Sequence, residues 1–349
     1  MMVAVGVMLA AAAVAAEAEP TKPFDPGAPP SEGPVVVRAH FQPRDINDID
    51  DATERFEFTG VLSLTWQDAR RAFDPAIEGV DEKIYQGHFQ FYELAAAWYP
   101  QIVLVNESGL FESHGVVLRV KPDGTSTLVE IINAAAETEL NLRRYPFDRH
   151  RLEATFEILG ANDTEVVFEA DSRPPGRADN QARVPQWTVE SIELTTRLHS
   201  GIVAGEPATA STLVVSMNVQ REAFFVVRLI VLPLALIVML SWSVFWMERS
   251  SLADRISVSF IGILTSVAYQ IVVSDIQPDI SYMTLMHGFL NLSFFMMCAT
   301  VPINLWVGAL ERQGRAGDAA RIDRRCRWLF PATYFGLTAA MVVVTFTLF

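Results

Sequence analysis

Four long apolar stretches near the C-terminus constrain this chain more than anything else in it. They cover about residues 224–246, 253–274, 282–310 and 328–349. A helix crossing a bilayer needs about 20 predominantly apolar residues, and each stretch meets or approaches that length. Lipid offers no partners to backbone polar groups, so segments of this kind cross as closed helices. Charge then sets the orientation. The connection between the first two stretches carries Glu248, Arg249, Asp254 and Arg255; the one between the last two carries Arg312, Arg315, Arg321, Arg324, Arg325 and Arg327 against Glu311, Asp318 and Asp323. An excess of Arg marks the cytoplasmic side. With an even number of crossings, the C-terminus and everything before Arg221 lie on the opposite side.

Composition splits at the same place. Residues 221–349 hold 10 Lys+Arg and 8 Asp+Glu, whereas the preceding residues hold 17 and 33. The front is therefore an acidic soluble domain, the wrong charge for a nucleic-acid partner. Export is also expected from its start. Met1 to Ala16 is an apolar run too short to span comfortably, followed by the A-x-A cleavage pattern Ala16-Glu17-Ala18, so residues 1–18 are expected to be a secretory signal peptide. Residues 19–34, rich in Pro and Gly, are expected to be a disordered lead-in. Residues 35–220 form the exported domain and 221–349 the membrane domain. Cys298 and Cys326 both fall in the membrane half and far apart, so the exported domain has no disulfide and the pair makes no metal site.

From Val35 onward the pattern is short β-branched or alternating runs: Val35–Val37, Phe56–Trp66, Ile102–Val105, Val116–Val120, Thr127–Ile132, Leu152–Ile158, Val166–Phe168, Trp187–Leu194 and Leu213–Val219. Pro122-Asp123-Gly124 is a hairpin turn. Strands at this spacing predict an immunoglobulin-like two-sheet β-sandwich. No GxSxG, phosphate-cradling Gly loop or HExxH occurs, and His40, His88, His114, His150, His199 and His287 lack ligand spacing. An enzyme, a resident metal and a cofactor are not expected.

One passage goes beyond composition. Leu142-Arg143-Arg144-Tyr145-Pro146-Phe147-Asp148-Arg149 resembles the loop by which pentameric ligand-gated ion channels dock their outer domain on the membrane helices. Animal members bracket that loop with cysteines; Thr138 and Leu152 stand there in this chain, which is thus similar to the prokaryotic, disulfide-free branch of the Cys-loop superfamily. Trp98-Tyr99-Pro100 with Asn106, the Pro122-Asp123-Gly124 hairpin and Arg221 follow in the family's order. Ser241-Trp242-Ser243-Val244-Phe245-Trp246, and Arg325-Cys326-Arg327 with Phe330-Pro331, resemble the ELIC type. The resemblance spans about Pro34 to Phe349. It implies a homopentamer in a bacterial inner membrane, with the sandwich and the C-terminus in the periplasm. It also implies a central pore lined by the second span, passing monovalent cations and gated by a small-molecule agonist or by protons, with lipid around it.

Periodicity leaves two faces of the second span open as the pore wall. Asp254, Ser257, Ile261, Leu264, Ala268, Ile271 and Asp275 step by three and four along one face; Ser259, Gly262, Ser266 and Gln270 form a second, more polar one. The resemblance points to the first, because Arg255 and Leu264 match the family's basic mouth position and mid-pore leucine. Five Asp254 side chains would then form an acidic ring attracting cations, with Asp275 a second ring outside, and Ile261, Leu264 and Ile271 a constriction that closes by dewetting. Asp254 also suits a helix N-terminus, where the macrodipole favours a carboxylate. By position, Asp148 and Arg221 are expected to form an ion pair that couples the sandwich to the pore, with Phe147 near Pro278.

For the agonist, Glu157, Leu159, Arg197 and His199 are the candidate contacts. The stretch from Thr195 to Thr212 contains no Phe, Tyr or Trp, which disfavours an aromatic cage for an amine and leaves protons or a small acid at Arg197 open. A different class of reading is a non-conducting receptor or adaptor, anchored by the same four helices and binding a partner through the sandwich.

Overall fold

The structure is a computed structural model that describes residues 29–30, 33–87, 98–171, 186–203, 206–247, 251–274 and 280–348. The expected signal peptide, most of the lead-in, Asp275 and Pro278 lie outside the described residues.

Among the described residues, ten strands form two sheets. They are β1 Val35–Asp50, β2 Arg55–Gln67, β3 Lys83–Gln86, β4 Ile102–Leu104, β5 Glu107–Val120, β6 Thr125–Glu137, β7 Arg149–Ile158, β8 Val166–Ala170, β9 Trp187–Val203 and β10 Glu206–Arg221. One sheet runs β3-β5-β6-β2-β1-β8 and the other β4-β7-β10-β9. Burial in β2 alternates strictly, with Phe56, Phe58, Leu62 and Leu64 inside, as one wetted face per sheet requires. Phe156 of β7 meets Phe41 at 6.1 Å and Phe58 at 6.4 Å, closing the two sheets over an aromatic centre. Asn106 stitches them at one edge. Its amide donates to the carbonyls of Glu137 and Glu153, both at 2.7 Å, and its Oδ1 accepts from the Thr155 N–H at 3.0 Å. The predicted sandwich is present, and the Pro122-Asp123-Gly124 turn joins β5 to β6 with Gly124 at φ +86°.

Two details exceed the sequence reading. The first strand runs sixteen residues instead of three, because irregularities between Pro43 and Asp45 and between Ile46 and Asp48 interrupt the alternation along its second half. β3 pairs along the edge of β5 from Lys83 to Gln86, a stretch with one strongly apolar residue.

Four helices follow: α1 Ala223–Trp246, α2 Leu252–Ser274, α3 Leu285–Arg312 and α4 Ala316–Leu348, each long and apolar enough to cross a membrane. α4 begins inside the basic connection, so Arg321, Arg324, Arg325 and Arg327 are helical and extend the span on the side away from the sandwich. The bundle core is buried between α1, α3 and α4: Trp242 meets Tyr334 at 5.5 Å, and the Tyr334 hydroxyl bonds Ser293 at 2.9 Å.

Candidate functional site

α2 starts with a reciprocal cap. Ser251 donates through both its N–H and its Oγ to the Asp254 carboxylate, at 3.2 and 2.7 Å, and the Asp254 N–H returns to Ser251 Oγ at 3.2 Å. This is a capping box with a carboxylate at the positive end of the helix dipole. The cap leaves Asp254 exposed.

The two faces of α2 part cleanly. Asp254, Ser257, Ile261, Leu264, Ala268 and Ile271 are all exposed on the subunit, Leu264 at 70%. Ser259, Gly262 and Ser266 are buried in the bundle. The Ser259 hydroxyl accepts from Thr300 Oγ1 at 3.0 Å and from the Asn304 amide at 2.9 Å. Gly262 lies so close to α1 that an added Cβ would stand 2.2 Å from Ser241 Oγ. The polar face is therefore inter-helix glue, a common use of hydroxyls in membranes. Arg255 is also inside, 3% exposed, with its guanidinium on the Asp323 carboxylate of α4 at 2.5 Å.

At the base of the sandwich the expected ion pair is present and larger than expected. Arg221 Nε reaches both Asp148 oxygens at 3.0 and 3.1 Å, and its Nη2 takes both Asp51 oxygens at 2.8 and 2.7 Å. Asp148 Oδ2 also lies 2.6 Å from His150 Nε2. The guanidinium sits 4.1 Å over the Trp187 ring and 4.9 Å over Tyr145. Burial pushes the Asp148 carboxyl up, but His150 and Arg221 outweigh it and hold it below the usual carboxylate range. For Asp51 the balance reverses: burial wins over the attraction of Arg221, and its carboxyl is raised. Arg221 loses from burial but gains more from the two carboxylates and is raised.

Phe147 is 44% exposed and packs on Phe346 near the end of α4 at 6.2 Å; its expected neighbour Pro278 is outside the described residues. Arg144 caps the same Phe346 ring at 5.2 Å. Tyr282, just before α3, enters the docking loop. Its hydroxyl accepts the Leu142 N–H at 2.9 Å and donates to the Leu140 carbonyl at 3.2 Å. The C-terminal end of α4 thus lies against the sandwich, on the side the even number of crossings demands.

The candidate agonist residues do not converge as a group. Arg197 and Glu157 share a register position opposite Thr212, but Arg197 turns to Glu153 and forms two hydrogen bonds of 3.1 Å. The slot for a small acid at Arg197 is thus filled by the chain's own carboxylate. Burial raises Glu153, and the hydrogen bonds and charge of Arg197, with Ser216 and Arg151, more than reverse it, leaving it lowered. Leu159 is 60% exposed in the turn after β7, and His199 is exposed on β9. A different carboxylate stands out: Glu130 on β6, opposite Leu62, is pushed up by burial against a single hydrogen bond from Ser113 Oγ at 3.3 Å.

Sequence reasoning missed Asp51, His150, Tyr282, Asp323 and Phe346. Asp51 and Asp323 carried a legible signal, since a basic residue placed inside an apolar setting needs an acid. The position of that acid in the chain was not legible.

Residues 20–223 match the neurotransmitter-gated ion-channel ligand binding domain, and residues 230–316 match the neurotransmitter-gated ion-channel transmembrane region. The chain is 27% identical over 325 residues to a proton-gated ion channel of Gloeobacter violaceus, covering 93% of this chain and 86% of that one. It is 25% identical over 259 residues to a glutamate-gated chloride channel of Drosophila melanogaster, covering 72% of this chain and 54% of the relative. With the human gamma-aminobutyric acid receptor subunit rho-2 it shares 23% identity over 293 residues, 81% of this chain and 61% of that subunit. Both halves of one architecture are matched in order, on a sandwich and four apolar helices, and the chain is a member of the neurotransmitter-gated, or Cys-loop, family of ligand-gated ion channels, a multi-pass membrane protein and not an enzyme.

Proposed function

We propose that five copies of this chain assemble into a cation-selective channel of a bacterial inner membrane, with the sandwich and C-terminus in the periplasm. The exposed α2 stripe lines its pore. One observation carries the reading: α2 spends its hydroxyl face on the bundle and leaves Asp254, Ser257, Ile261, Leu264, Ala268 and Ile271 without partners in other helices. A stripe with a carboxylate at one end and bulky aliphatics along it is odd material for lipid alone but suits a ringed pore. An anchor for a non-conducting receptor has no use for it. Asp254 supplies the charge at the inner mouth, Ser257 a hydroxyl for a partly dehydrated ion, and Ile261, Leu264 and Ile271 the apolar constriction. Asp275 continues the stripe in sequence and would supply the outer acidic ring.

Protons are the agonist class we favour over an amine. The β9–β10 hairpin offers no aromatic cage, Arg197 is occupied by Glu153, and two half-buried carboxylates, Asp51 and Glu130, are raised above the usual carboxylate value, so that they take up protons earlier as pH falls.

Leu264→Ala should weaken the apolar ring and leave a resting current. Its reversal potential under dilution of external salt should follow the cation gradient. A chloride-like reversal would discard the acidic ring, and silence from protein at the surface would discard this stripe as the pore wall.

A further inference from the structure

The Arg255–Asp323 pair lies next to Asp254, the residue proposed above as the charge at the inner mouth. Arg255 follows Asp254 directly, at the first turn of α2. A guanidinium stays protonated under all ordinary conditions, so a buried one must be paired or must reach water. In this chain it is paired. Its side chain is 4% exposed, the acid is Asp323 of α4 at 16%, and the two meet at 2.5 Å. Arg255 Nε is buried without a hydrogen-bond partner, so the carboxylate contact is its main hold on the bundle. The other acid of the α4 extension, Asp318, is taken by Arg315 at 2.8 Å and Arg321 at 3.2 Å. Arg327 donates to the Phe245 carbonyl at 2.9 Å. Asp323 is thus the acid that α4 commits to α2.

We infer that Asp323 is a selectivity-positioning residue: by binding Arg255 inside the bundle it leaves Asp254 as the charge that the pore mouth presents. This rests on the reading of the α2 stripe as the pore wall. With the pair intact, Asp254, Arg255 and Asp323 carry one net negative charge per subunit. Without the Asp323 charge the net is zero, and the long side chain of Arg255 can carry its head to the nearest water, beside Asp254. A residue two helices away in sequence thereby sets the sign of the field that gathers ions at the cytoplasmic mouth.

The test uses the full chain in the conducting Leu264→Ala background, with reversal potentials under salt dilution. Asp323→Asn and Arg255→Gln both break the same pair, so a merely structural role moves both alike. A charge role separates them. Asp323→Asn should lower the cation-to-anion permeability ratio by about tenfold; Arg255→Gln should keep or raise it; the double variant should return to the background value. Where Asp323→Asn alone does not reach the surface, co-expression with unmodified subunits keeps the measurement open, and the ratio should fall with the variant fraction. Equal ratios for Asp323→Asn and Arg255→Gln overturn the inference while the pore reading stands. A background current that reverses at the chloride potential removes both.

Discussion

At the scale of single residues, the junction turns on one arginine shared by two acids of opposite character. Asp148 is held below the usual range by His150 and Arg221 against burial, so it stabilises the folded state at ordinary pH and loses that contribution only as pH falls through its lowered value. Asp51 is raised by burial, so the folded chain binds a proton there more readily than the unfolded one. Its contribution grows as pH falls from the raised value toward the ordinary one. As pH falls, Asp51 therefore takes up its proton before Asp148 does, and Arg221 passes from two carboxylates to one. Asp51→Asn, which supplies the discharged form permanently, should move the midpoint of acid activation toward neutral pH. Asp148→Ala should instead cost about 3–5 kcal/mol at the junction, because Arg221 and His150 lose their shared acid. That variant should assemble but open poorly. An unshifted midpoint in the first, or normal gating at normal surface density in the second, would rule out the Arg221 cluster as the coupling element.

At the scale of elements, α2 is pinned along its inner half. Asp323 holds its first turn, Thr300 and Asn304 hold Ser259, and Gly262 lets α1 close on it. Gly262→Ala should destabilise the bundle by about 1–3 kcal/mol, read as a lower unfolding temperature of the oligomer in mild detergent. Ser241→Gly should restore part of it, since the clash is with the Ser241 side chain. Full stability of the single variant would mean that α1 and α2 do not approach as described. This helix also shows how far sequence reaches. Periodicity resolved both faces, but choosing between them took a family likeness, because a hydroxyl stripe reads equally as wet pore or dry glue. Which one it is depends on whether α3 presents Thr300 and Asn304, about forty residues on. The strands were legible where alternation was clean, as in β2, and shrank to fragments where register shifts interrupted it, as in β1. Tyr282 and Phe346 left no local trace at all, since their meaning lies in loops some 140 and 200 residues earlier.

At the scale of the whole molecule, an acidic sandwich stands on four helices and is tied to them by the end of β10, by Tyr282, and by the far end of α4. α4 is held twice over. Asp323 fastens it to α2 at one membrane face, and Phe346 meets Phe147 and Arg144 of the docking loop at the other. The helical rise between those two residues is about 35 Å. Held at both ends, such a helix is a strut of fixed length, and the lipid around it is not. Acyl chains shorter or longer than the strut prefers must be met by tilt or by letting go of one end, and the weaker end is the ring contact at Phe346. Acid sensitivity should therefore vary with acyl-chain length when the protein is reconstituted in single-lipid vesicles, and Phe346→Ala should flatten that dependence. The same contact that completes the docking loop would make the receptor a gauge of its membrane's thickness.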